Sequence, residues 1–309
     1  MADPTGLAEG RTAEVRVPAT SANLGPGFDS LGLAVGLADH YSVRHSVVPG
    51  VRVSVAGEGA DELPSDADHL VAAALCRGLR AAGATWTGLE LHCRNGIPHR
   101  RGLGSSAAAI VGGLVAAREL LGADRLPVER ILDLATELEG HPDNVAAALL
   151  GGFTIAWTDT AGPTTRAHAA VAAVHPDVRP VVAIPGHDLP TTTARGLLPE
   201  AVPHADAAFN AGRAALLVHA LGRDPSLLFA ATEDRLHQRQ RGPAMPESLA
   251  LVRALRDSGL PAVVSGAGPA VLVLASPDTA GRAAALIGRG PFQAIVTEID
   301  HDGARAVAG

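Results

Sequence analysis

The chain has 309 residues, a net charge of −7, 47% hydrophobic residues and only 3% aromatic ones. An acidic balance with so few stacking side chains argues against nucleic acid, and the lack of a long apolar run argues against a membrane span. All 25 basic residues are arginine, so a Walker loop ending in lysine and a Schiff-base lysine are both impossible. The length suits a well-buried core and two domains. Cys76 and Cys93 make no disulfide framework and are expected to be buried, reduced thiols. The polar stretch Met1 to Arg11 lacks the apolar core of a signal peptide, so a soluble, cytoplasmic protein is expected.

In chain order, Ala13 to Val17 alternates as a strand and is expected to stop at Pro18. A loop of small polar residues and glycine follows through Asp29, and Leu31 to Leu37 resumes an apolar character. Val43 to Val55 reads as two strands joined at Pro49-Gly50. Asp66 to Ala82 has helical periodicity, with Asp66 or Asp68 as its cap. Leu89 to Asn95 reads as a strand that delivers the chain to Gly102-Leu103-Gly104-Ser105-Ser106, after which Ala107 to Leu121 reads as a buried helix.

A helix opened by Pro127 runs through Leu138, then Gly140-His141-Pro142-Asp143-Asn144 breaks it, and Val145 to Leu150 is a further short helix. Phe153 to Trp157 reads as a strand, and the loose stretch from Asp159 to His168 as a domain boundary. Beyond it come a strand (Val178 to Ile184), a helix opened by Thr191, and helices over Ala205 to Leu221, Ser226 to Gln240 and Leu249 to Ser258. Strands at Ala262 to Ser265 and Ala270 to Leu274 flank Gly266-Ala267-Gly268-Pro269. A helix (Thr279 to Ile287) and a strand (Phe292 to Glu298) close the chain. The mixture reads as an α+β fold.

Three small-residue loops stand out: 18–29, 97–109 and 265–269. In the second, two glycines and two serines feed the start of a buried helix. Unpaired N–H groups and the positive end of the helix dipole there suit a phosphate. Without lysine, any phosphate must be held by main-chain amides, arginine and a metal ion.

The wording of these loops resembles the GHMP small-molecule kinases. Pro18-Ala19-Thr20-Ser21-Ala22-Asn23-Leu24-Gly25-Pro26-Gly27-Phe28-Asp29 is similar to the first motif of the branch that phosphorylates homoserine, as are Thr136 to Ala146 and Asp234 to Arg241. The likeness runs from about Val15 to Asp300. It implies a two-domain GHMP kinase fold, with an N-terminal nucleotide-binding α/β domain over residues 12–165 and a C-terminal ferredoxin-like domain over 166–309, with a return of the last strand to the first domain allowed. It also implies ATP-dependent phosphorylation of the hydroxyl of L-homoserine, a step towards threonine.

The resemblance assigns Pro98, Arg101, Gly102, Leu103, Gly104, Ser105, Ser106 and Ala107 to ATP, with Ser106 and Glu137 completing a Mg²⁺ shell. Glu139 is the close competitor, because Glu-Leu-Glu offers two carboxylates on different helix faces. Arg100 and Arg101 either add positive charge for ATP or are solvated. Arg195 and Arg241 are assigned to the substrate carboxylate, Asp29 and Asp143 to its amine and Asn23 to its hydroxyl. Thr191, His141 and Gly266 complete the pocket. Related kinases have an aspartate where this chain has Asn144, and an amide is no base at neutral pH. Direct phosphoryl transfer is therefore expected, with Asn23, Asn144 and Asp29 nearest the chemistry and Asp29 as the reserve base.

His69 stands where the family often has asparagine near the adenine pocket, and the segment from Gly140 to Asp143 is shorter than in some relatives. A different small alcohol as acceptor, and a nucleotide-sensing protein on a dead kinase, remain as alternatives; a homodimer is left open.

Overall fold

A computed structural model describes residues 6–159 and 166–307. Its strands are β1 (Thr12–Ala22), β2 (Leu31–Ser46), β3 (Gly50–Gly57), β4 (Gly88–Asn95), β5 (Phe153–Asp159), β6 (Arg166–Ala172), β7 (Arg179–Pro185), β8 (Ala262–Val264), β9 (Val271–Ala275), β10 (Phe292–Val296) and β11 (Arg305–Ala306). Its helices are α1 (Leu70–Ala81), α2 (Ser105–Leu121), α3 (Val128–Glu139), α4 (Pro142–Leu150), α5 (Thr191–Gly196), α6 (His204–Gly222), α7 (Leu228–Ala231), α8 (Gln238–Arg241), α9 (Pro246–Asp257) and α10 (Pro277–Ile287).

Strands β1 to β6 and β11 form one sheet, with β11-β1-β2-β4-β3 in order and β5 joining β2 to β6. β1 does not stop at Pro18. A register shift between Pro18 and Ala19 absorbs the missing N–H, and pairing with β2 continues to Ala22. The strand thereby reaches the first small-residue loop with its register fixed. α2 packs against β1, α1, α3 and α4. It is apolar nearly all round, with Ala107, Ala108, Ile110, Val111, Leu114 and Leu120 buried, as a central helix must be. Each fully buried Ile or Leu contributes about 1.5–3 kcal/mol by removal from water, which anchors the helix and the loop that precedes it.

The second sheet is antiparallel throughout, in the order β10-β7-β9-β8. With α9 and α10 it makes a β-α-β-β-α-β unit of ferredoxin-like topology. Its side chains alternate between two cores. Val181, Ala183, Val271 and Val273 pack with the buried faces of α9 and α10, while Val182, Ile184, Leu272 and Leu274 join the core that holds α2. The segment α5 to α8 is inserted between β7 and α9, and it carries Arg195, His237 and Arg241.

Three expectations are corrected here. β6 belongs to the first sheet because it pairs with β5. The crossing between sheets therefore follows Ala172, and the boundary expected at 165/166 abuts residues 160–165, outside the described residues. The single helix expected over 226–240 is broken. A 3-10 turn at Pro225–Leu227 precedes α7, and Asp234 then accepts the N–H groups of Leu236, His237 and Gln238, a turn that starts α8. The cap of α1 is His69, whose Nδ1 accepts from Val71 N; Asp66 instead holds Asp68 N.

Candidate active site

The three small-residue loops meet. Thr20 N donates to Leu103 O and Gly266 N to Ala22 O, at 3.0 and 3.1 Å. Ser265 Oγ donates to Gly102 O at 2.7 Å and lies 2.8 Å from Ser21 Oγ. A Cβ on Gly102 would fall 2.3 Å from Ser265 O. Gly104 has φ +69°, and a Cβ there would lie 1.9 Å from Thr20 Oγ1. That position tolerates only glycine, and it lets the chain enter α2 with the first N–H groups of the helix free of any side-chain cap.

Around this entrance lies a cavity of about 120 Å³, lined by Gly102, Gly104, Ser105, Ser106, Glu139, His141, Asp143, Asn144, Asn23, Thr191, Arg195, Arg241, Gly266, Ala267 and Arg100. Ser106 Oγ donates to Glu139 Oε2 at 2.8 Å. Burial raises the Glu139 carboxyl above its ordinary value, against the pull of that hydrogen bond. Glu137 is the corrected residue. It points to the opposite face of α3, exposed, in an ion pair with Arg77 at 3.0 Å.

Asp143 is buried at 1% exposure. Its Oδ1 lies 2.6 Å from His141 Nδ1 and accepts from Asn144 N at 2.8 Å. Burial by itself would lower the His141 pKa, but the hydrogen bond and charge of Asp143 outweigh it and hold the imidazole above its ordinary value. Asn144 Oδ1 accepts from Thr20 Oγ1 at 2.8 Å, which leaves its amide N–H₂ as a donor.

Asp29 does not line the cavity. Both its oxygens are taken by Arg195, Oδ1 by Nη2 at 2.7 Å and Oδ2 by Nη1 at 3.1 Å. The amine-binding and base roles expected for it do not match that engagement. Asn23, at φ 67°, accepts from Asp29 N and donates to Gly266 O at 2.8 Å. Arg241 is 1% exposed, its Nη1 donates to Gly266 O and His237 Nδ1, and its Nε has no partner. Burial, then the charge of Arg195, push its pKa down to about 10.

Of the residues expected at ATP, Leu103 and Ala107 have fully buried side chains and can offer only main chain. Pro98 lines neither this cavity nor the one beside it. Arg101 is a brace, donating to the carbonyls of Pro185, Gly186 and His99. Arg100 borders both cavities instead.

The adjoining cavity, of about 200 Å³, shares Arg100, Ser105 and Ser106 and is otherwise walled by Tyr41, Leu63, His69, Leu70, Val71, Asn95, His99, Ala109 and Asp39. Two buried polar atoms there have no partner, His69 Nε2 and Asn95 Oδ1. Because His69 Nδ1 accepts from Val71 N, its neutral ring carries the proton on Nε2. Sequence reading missed Asn95, which carries no motif of its own.

Residues 69–152 match the family model of the GHMP kinases N terminal domain and residues 209–289 that of the GHMP kinases C terminal. The homoserine kinase of Streptomyces coelicolor is 57% identical over 89% of this chain and 88% of its own. That of Clavibacter michiganensis is 51% identical over 97% and 95%. This chain belongs to the homoserine kinase family of GHMP kinases. The crystal structure of homoserine kinase from Cytophaga hutchinsonii superposes with a TM-score of 0.85 at 28% identity, covering 96% of this chain and 97% of that one. Within this GHMP kinase the glycine-rich entrance to α2, the Ser106–Glu139 pair and the buried Arg241 all face one cavity. Among the described residues no helix is long and apolar enough to cross a membrane.

Proposed function

We propose that this chain transfers the γ-phosphoryl group of ATP to the side-chain hydroxyl of L-homoserine, giving O-phospho-L-homoserine and ADP. The observation that carries the reading is Arg241. A buried guanidinium with an unpartnered Nε, in the wall of the same cavity as the phosphate loop, calls for a planar anion, and the substrate carboxylate is one.

The main-chain N–H groups of Ser105 and Ser106 and the dipole of α2 hold the triphosphate. His69 Nε2–H and Asn95 Oδ1 give a donor and an acceptor to the base in the adjoining cavity. Ser106 and Glu139 offer the oxygen pair of a Mg²⁺ site, an ion that takes few protein carboxylates and completes its shell with phosphate and water. Bound there, Mg²⁺ neutralises charge that develops on the transferred group. Asp143 takes the substrate ammonium, next to a His141 that it already orients.

Asn144 positions the acceptor hydroxyl and removes no proton; as the new P–O bond forms and the bond from the γ-phosphorus to the ADP oxygen breaks, the hydroxyl proton passes to an oxygen of the transferred phosphoryl group. With both Asp29 oxygens held by Arg195, in-line positioning and charge neutralisation do the work, as a loose transition state allows. The buried free thiols Cys76 and Cys93 fit a reducing cytoplasm. A coupled ADP-release assay over a panel of amino alcohols and sugars tests the reading. Release that depends on L-homoserine supports it; a stronger response to an acceptor without a carboxylate overturns it.

A further inference from the structure

The substrate-facing geometry of Arg241 depends on a buried group outside the cavity. His237 is fully buried, and its Nε2 lies 2.7 Å from Gly25 O. A carbonyl only accepts, so Nε2 carries the proton; a guanidinium only donates, so Nδ1, 3.1 Å from Arg241 Nη1, carries the lone pair. One neutral tautomer satisfies both contacts. The Phe28 ring lies tilted by 34° against the imidazole with centroids 5.2 Å apart, and the Arg241 guanidinium lies 5.4 Å from the same ring.

The backbone that presents His237 is fixed independently. Asp234 accepts from the main-chain N–H groups of Leu236, His237 and Gln238 and from Asn210 Nδ2. His237 therefore joins a rigid turn to the 23–29 loop at one end and to Arg241 at the other. Nη1 of Arg241 is consumed by His237 and by Gly266 O, while Nε is unpartnered, so the free edge of the fork is the one running through Nε.

We propose that His237 is a positioning residue: by accepting Arg241 Nη1 it turns the guanidinium so that its Nε edge meets the substrate carboxylate. This rests on the proposed homoserine kinase reading. The charged groups facing His237 are Asp234 in its own turn, Arg241 on α8 and Asp29 in the 23–29 loop. Protonation would place N–H on Nδ1 against a guanidinium, and burial, with the charge of Arg241, outweighs the opposing charge of Asp234 and favours the neutral ring. Homoserine affinity should thus fall on the acid side while ATP affinity does not.

The test varies homoserine and ATP separately in the coupled assay, with His237→Ala and His237→Asn, from about pH 8 down to the lowest pH at which circular dichroism shows a folded protein, because burial holds His237 below the ordinary histidine range. His237→Ala should raise the homoserine KM about tenfold, as expected for the loss of one buried charge-assisted hydrogen bond, and leave kcat and the ATP KM within about twofold. In His237→Asn the side-chain Oδ1 stands near the place of Nδ1, so most of the affinity should return, and the acid rise in homoserine KM should shrink to the part that His141 beside Asp143 contributes. Equal movement of both KM values, an Asn variant no better than Ala, or an acid rise in Asn as large as in the wild type overturns the proposal. If His237→Ala does not fold by circular dichroism, the Asn variant and its pH profile carry the test alone. A wild-type protein with no homoserine-dependent ADP release sinks the underlying reading instead, a result distinct from an active wild type indifferent to His237.

Discussion

The Ser106 hydroxyl and the Glu139 carboxylate meet at 2.8 Å across the gap between the start of α2 and the end of α3. Glu139→Gln should lower kcat about a hundredfold or more, the scale seen when a group stabilising transition-state charge is removed. Glu137→Gln should cost less than about threefold, since that carboxylate pairs with Arg77 at the surface. Steady-state kinetics at saturating Mg²⁺, with circular dichroism to confirm folding, checks both. Equal losses would contradict the assignment of the metal to Glu139.

Arg241→Ala should raise the homoserine KM by about a hundredfold and the ATP KM by less than about threefold, because only the amino acid carries a carboxylate to that wall. Substrate-saturation curves for each ligand decide it. A parallel rise in both constants would place Arg241 in the general scaffold.

Gly104→Ala should destabilise the protein by about 1–2 kcal/mol from its left-handed backbone alone. The collision of the new methyl with Thr20 Oγ1, which holds Asn144, should also remove nearly all activity. Thermal melting and turnover measured together test this; an active, fully stable variant would show that the entrance is less tightly built.

Asp39 gives a prediction on stability and pH. Its Oδ1 accepts the N–H groups of Gly96 and Ile97, its Oδ2 accepts from Tyr41, and burial raises its pKa against those bonds. A carboxyl raised in the fold contributes its stability at pH below the unfolded value near 3.8 and loses it as pH rises through the folded one. Asp39→Asn keeps an acceptor for both amides, so it should match or exceed the wild-type Tm at neutral pH and lose that advantage near pH 4. Asp39→Ala, which orphans the N–H groups of Gly96 and Ile97 and the Tyr41 hydroxyl, should cost about 2 kcal/mol or more. Melting curves against pH for the three proteins check the sign.

Much of this was legible in the sequence because the informative features are local. Glycine, serine and proline mark the three loops, an apolar run of helix formers marks α2, and alternating or continuous apolar stretches mark strands of both sheets. What was not legible depends on contacts distant along the chain. Asp29 and Arg195 are 166 positions apart, and nothing near either one announces their pairing. The choice between Glu137 and Glu139 depends on which face of α3 meets α2. Burial along the helix does not decide it, since residues one turn before each carboxylate, Asp133 and Leu134 for Glu137 and Ala135 and Thr136 for Glu139, are all buried. The break in the 226–240 helix follows from Asp234 binding three amides, a competition between side chain and helix that apolar spacing alone does not register. The role of His237 came from its two hydrogen bonds, to Gly25 and Arg241, and only the first of these crosses the chain.

The most direct test is a crystal structure of the protein with a non-hydrolysable ATP analogue, Mg²⁺ and L-homoserine. The account predicts a metal between Ser106 and Glu139, phosphates on the amides at the start of α2, and the homoserine carboxylate on the Nε edge of Arg241. A metal at Glu137, or a carboxylate bound away from Arg241, would contradict it.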